Sequence, residues 1–85
     1  MEAQVVTEAL ALAESAGSVR EAAQVLREHY AQLRVVVVDA FDMRDEIPAA
    51  AGAALALYYG ATDGHCWQVT SNPAQAAGFF VSDRS

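Results

Sequence analysis

Apolar and polar positions alternate along this chain with two different periods, and the period changes once. From Ala3 to Ala16, Val6, Ala9, Leu10 and Ala13 recur at the three-to-four-residue spacing of a helix with one buried stripe. Gly17 is a stop signal, and Ser18-Val19-Arg20-Glu21 has the form of a capping box. A second helix is expected from there to about Gln32, with Val19, Ala22, Ala23, Leu26, Tyr30 and Leu33 inward and Arg20, Gln24, Arg27 and Glu28 outward.

Beyond Leu33 the pattern becomes that of strands. Arg34–Asp39 contains four consecutive valines, a β-branched run whose unbroken apolarity predicts burial on both faces. Ala40–Pro48 is polar and irregular and reads as a loop; Ala49–Ala53 is ambiguous, with Gly52 opposing a helix. Ala54–Ala61 and His65–Thr70 read as two strands joined across Asp63-Gly64, a dipeptide suited to the type I′ turn of a two-residue hairpin. That register sets Thr62 opposite His65, Ala61 opposite Cys66 and Tyr59 opposite Gln68. One face of the hairpin then carries Leu55, Leu57, Tyr59 and Cys66, and the other carries Ala56, Tyr58, Trp67 and Val69. Ser71-Asn72-Pro73 starts a single helical turn that Gly78 ends. Phe79-Phe80-Val81 is a last short strand, and the polar residues from Ser82 on are expected to fray.

Helices first and strands afterwards predict an α+β domain: two N-terminal helices packed on a small, largely antiparallel sheet of three to four strands with a central hairpin. Two helices cover one sheet face. The other, also apolar, must meet Ala49–Ala53 or another chain.

With 85 residues, a single domain, 1–85, is the expected organisation. Alanine accounts for 19 residues, so much of the apolar content favours helix while burying little surface. The net charge of −6 opposes binding to nucleic-acid phosphates or anionic lipid and leaves a basic protein surface as the complementary partner. No apolar run approaches a membrane span, and Met1-Glu2 opens without the positive charge of a secretory signal. One cysteine permits no internal disulfide and fits a reducing compartment, so a cytoplasmic location is expected.

Three groups of residues are candidates for chemistry. His65-Cys66 combines an imidazole and a thiol, but neighbours on a strand point to opposite faces and no second cysteine completes a zinc set. Asp39, Asp42, Asp45 and Glu46 crowd carboxylates into one loop without the central glycine of a calcium loop, and Arg44 sits among them. Asp42, Asp45 and Glu46 suit a docking surface for a basic partner better than a metal site. Tyr58, Tyr59 and Trp67 form an aromatic group open to three readings: core, ligand pocket or oligomer interface. No nucleophile–base–orienter signature and no glycine-rich phosphate loop is present, and no cofactor is expected. Gly17-Ser18 between two helical stretches has the look of a helix-turn-helix, yet the second helix runs straight into the valine strand where a recognition helix should follow.

Leu57-Tyr58-Tyr59, Asp63, His65-Cys66, Thr70 and Ala76-Ala77-Gly78, preceded by a valine strand ending in acidic residues and by Pro48, resemble a family of small uncharacterised bacterial proteins sometimes encoded near nitrogen-fixation genes. The likeness spans Tyr30–Val81. It implies an accessory role in the bacterial cytoplasm near metalloenzyme biogenesis, and it carries over no catalytic or binding residue. In this chain Asp39, Asp42, Asp45 and Glu46 are more widely spread than the family's acidic cluster.

The expectation is therefore a non-enzymatic protein-binding or accessory domain that self-associates as a homodimer through an apolar sheet face. A small metal- or redox-linked protein using His65 and Cys66 is the first alternative. A small-molecule binder with Tyr58 and Trp67 in its pocket is the second.

Overall fold

In the computed structural model, which describes residues 2–84, the elements run α1 (Ala3–Glu14), α2 (Val19–His29), β1 (Arg34–Val37), β2 (Ala50–Ala51), β3 (Leu55–Thr62), β4 (Trp67–Thr70), a short 3-10 turn (Pro73–Gln75) and β5 (Gly78–Asp83). The α+β class is as the sequence predicts, with five strands among the described residues. Strand order is β1-β5-β3-β2, with β4 also pairing β3. β5 occupies one edge of β3, from Leu55 to Gly60; β2 and β4 share the other edge in succession. All pairings are antiparallel except β1 with β5, which is parallel.

The helix layer forms as its sequence dictates. Ser18 Oγ accepts from the Glu21 amide at 3.2 Å, and the Glu21 carboxylate reaches back to the Gly17 amide at 3.1 Å. α2 stops three residues earlier than its pattern predicts, because Tyr30 leaves helical geometry and the Leu33 amide closes a turn onto its carbonyl. This frees Arg34 to start β1. Tyr30 and Leu33 still pack on the core.

Val6, Ala9, Ala13, Ala22, Ala23 and Leu26 meet Val35, Leu55, Leu57, Tyr59, Phe79 and Val81 in the main core. The small alanines let the helices approach the sheet closely. At one end the Glu14 carboxylate accepts from the amides of Ala53 and Ala54, tying α1 to the β2–β3 turn. At the other, Tyr30 donates its hydroxyl proton to Glu8 at 2.9 Å.

Burial first, then the bond to Glu8 and its negative charge, push the Tyr30 pKa from 10.0 to about 12. The folded chain therefore holds a proton that the unfolded chain releases earlier. Stability from this group is intact below pH 10 and is lost as pH rises from there to about 12. A titration of tyrosinate absorbance beside thermal melts should show the melting temperature falling across that window, and Tyr30→Phe should remove that component of the fall.

Several expectations are corrected by the sheet. β1 is an edge strand, not a doubly buried one: Val35 is buried and Val37 exposed. Phe79-Phe80-Val81 lies in a central strand, and the expected frayed tail is partly strand, with Ser82 only 1% exposed. Ser85 lies outside the described residues. Ala50 and Ala51 form an edge strand beside β3, with Ala50 packed against the helix-side core and Ala51 exposed.

The hairpin register also differs. Thr62 faces Trp67, Ala61 faces Gln68 and Tyr59 faces Thr70, so Asp63–Cys66 form a four-residue loop. A type I′ turn needs positive φ at both central residues, and Gly64 alone among the described residues has it. Asp63 instead accepts from the amides of His65 and Cys66 through its carboxylate, and Thr62 Oγ1 accepts from the Gly64 amide. The shift is two residues, so each paired side chain keeps its predicted face.

Candidate functional site

The helix-free face of the sheet is the place where most of the candidate residues gather. Even-numbered residues of β3 and β5 point to it. Ala56, Tyr58 and Phe80 are buried there under Met43, with Val36, Val38, Trp67 and Val69 half-buried around them. Predicted neighbours Ala56, Tyr58, Trp67 and Val69 thus share one face. Within the chain it is the Ala40–Pro48 loop, not Ala49–Ala53, that lies over it, folding Met43 down onto Tyr58 and Phe80. Met43 was the one signal in that loop that periodicity does not register, a buried apolar side chain between Asp42 and Arg44.

Trp67 has a particular seat. Gly60 and Gly78 face each other across β3 and β5 and leave a bare spot on the sheet. The indole ring covers it, so a Cβ at Gly60 would stand 3.3 Å from Trp67 Cε3. On its other side the Arg34 guanidinium lies 6.0 Å from the ring centre. Tyr59 belongs elsewhere: it is on the helix side, stacked on Phe79 with ring centres 6.5 Å apart.

The loop over this face is held by its own arginine. Arg44 stacks on Phe41 at 4.1 Å, donates to the Phe41 carbonyl at 2.8 Å and lies 4.0 Å from Asp45. The Phe41 amide donates to Asp39. Asp42, Asp45 and Glu46 project into solvent around Met43, and Glu46 shares a concavity of about 320 Å³ with Tyr58 and Met43. Phe41 is 67% and Ile47 88% exposed on the same loop, unusual for large apolar side chains.

His65 and Cys66 are exposed at the hairpin tip, off the strand faces on which they were expected. Backbone bonds from Cys66 and His65 hold the Asp63 pKa below its ordinary value. His29 is engaged with Glu8 at 3.4 Å in the helix layer. Among the described residues no group of three or more His, Cys, Asp or Glu side chains is arranged to hold a metal ion. No described helix is long and apolar enough to cross a membrane.

An open concavity of about 740 Å³ lies at the carboxyl ends of the parallel pair β1 and β5, lined by Val37, Asp39, Phe41, Arg44 and Asp83. Sequence reasoning did not anticipate it, since it depends on β1 lying beside β5. Comparison with family models, curated proteins and solved structures gave no match, so the likeness over Tyr30–Val81 rests on its motif residues alone.

Proposed function

We propose that this chain is a protein-binding domain without catalytic activity, and that its helix-free sheet face is the surface that receives the partner. The observation that carries this is the asymmetry of the sheet. One face is closed by two helices, while the other is closed by a single methionine and bordered by half-buried Trp67, Val36, Val38 and Val69. The adjoining loop presents Phe41 and Ile47 to water. An apolar centre with an aromatic anchor and a charged rim is the usual composition of a protein-recognition patch. Asp42, Asp45 and Glu46 on that rim favour a partner with basic residues opposite them.

Val69→Arg places a charge on the patch without disturbing the buried set. The parent chain and the variant should give the same circular dichroism. A protein retained by the parent on affinity purification should be lost from the variant. An identical retained set in both would dispose of the reading. Native mass spectrometry of the parent showing a bound small molecule instead would move the assignment to a ligand-binding domain.

A further inference from the structure

The outer edge of β1 and the exposed side of α2 form one surface that is complementary to its own copy turned through a two-fold axis. The amides of Arg34 and Val38 donate inward, to Ala77 and Val81. By strand alternation Val35 and Val37 turn their backbone groups to the free edge. The Val35 carbonyl is taken by Arg27, whose Nε and Nη2 donate at 3.0 and 2.8 Å. α2 lies over β1 and β5, and α1 over β2 and β3, so α2 alone flanks this edge on the helix side.

Apart from His29, which turns to Glu8 of α1, the exposed residues of α2 are Arg20, Glu21, Gln24, Arg27 and Glu28. Reversed about Gln24, this series maps Arg20 onto Glu28 and Glu21 onto Arg27. An antiparallel second copy would therefore set Arg20 against Glu28 on both sides of the axis, while Glu21 keeps its cap bond to the Gly17 amide. The strand repeats the logic. With Val35 opposite Val37 of the second copy, Leu33 faces Asp39, and the Arg27 guanidinium is displaced from its carbonyl toward that carboxylate. The displacement is two residues, roughly 7 Å, within the swing of an arginine. Val36 then meets its own copy at the axis, where antiparallel partners approach most closely.

We infer that two copies of this chain pair antiparallel through β1, with the α2 helices side by side, forming one continuous sheet. The inference builds on the proposed function, because Val36 at the axis joins the two helix-free faces into one larger surface. It replaces face-to-face stacking as the mode of self-association, leaving that face free for a partner. Antiparallel pairing also meets the symmetry requirement of a closed dimer, in which the same patch serves both subunits.

The test is sedimentation of the full chain over a range of concentrations, in reductant so that Cys66 forms no disulfide. The parent should be dimeric. Glu28→Arg should weaken the dimer about tenfold by opposing like charges. The double variant R20E/E28R should restore it. Val37→Pro, tolerable at an edge whose amide faces outward, should give a monomer. Glu28→Arg alters only a solvated side chain, so it remains decisive if the proline variant fails to fold. A parent that stays monomeric overturns the inference. So does a dimer indifferent to Glu28→Arg. If Val69→Arg abolishes the dimer while the Glu28 and Val37 variants leave it intact, edge pairing falls and the functional reading of the sheet face stands.

Discussion

Phe79→Ala is expected to cost about 3–5 kcal/mol, the range for deleting a fully buried aromatic ring when the surroundings collapse only in part. The ring is 1% exposed and sits on a central strand beneath the helices. It stacks on Tyr59 and meets Tyr30 edge-on, both with ring centres 6.5 Å apart. Its loss removes support from the sheet and from the C-terminal end of α2 together. Domains of this size are stable by roughly 5–15 kcal/mol in total, so the variant should lose about a fifth of its margin or more. Urea denaturation should show a lower midpoint at nearly constant slope. Phe80→Ala is the informative companion. Phe80 is 8% exposed on the helix-free face, under the Met43 loop, and its removal should cost at least ~1 kcal/mol less. Equal costs would mean that the helix-free face is as firmly packed as the main core, contrary to its proposed availability to a partner.

The same two phenylalanines show where sequence reading succeeds and where it stops. Alternation assigns them to opposite faces at once, because adjacent strand residues always diverge. It says nothing about which strand lies in the middle. The valine run is the most apolar stretch and so reads as buried on both faces, yet it is the edge; Gly78–Asp83, with a polar end, is central. The difference is set by pairing over long sequence separations. β1 reaches β5 across more than forty residues, and no local pattern encodes that choice.

The site divides in the same way. Ala56, Tyr58, Trp67 and Val69 share a face by alternation alone, and a register shift of two leaves that unchanged. Placing Cys66 on the opposite face fails because it requires strand geometry through a residue that belongs to the loop. The Asp63 carboxylate, by accepting from two successive amides, stabilises a longer loop than the Asp-Gly pair would need. Met43 is legible only in retrospect, since closing a sheet face with one loop side chain depends on where Ala40–Pro48 lies. The free edge of β1 and the concavity beside it follow from strand order and were equally hidden.

Gly78→Ala is expected to be as damaging as the loss of a core ring, for a different reason. A Cβ at Gly78 would lie within contact of the Arg34 carbonyl oxygen and 2.9 Å from its carbonyl carbon. Those atoms are backbone, and Arg34 is the residue paired with Gly78 where β1 meets β5. No rotamer change relieves the overlap, so β1 must shift away from β5 at its first pair. A cost of about 3 kcal/mol or more follows, at the upper end of overpacking effects. Gly60→Ala offers the control, since the two glycines face each other across β3 and β5. There the nearest atom is Trp67 Cε3 at 3.3 Å, on a side chain that is itself half-exposed and able to move. The reduced freedom of the unfolded chain offsets part of that contact, so the change in stability should stay within about 1 kcal/mol. Trp67 should report the difference: Gly60→Ala should lift the indole toward water and red-shift its emission while the sheet persists. Gly78→Ala should lower the unfolding midpoint sharply and raise hydrogen exchange first in Val36 and Val38, whose amides face β5. If Gly78→Ala proves as mild as Gly60→Ala, the close parallel contact between β1 and β5 is wrong, and with it the placement of β1 as a free edge.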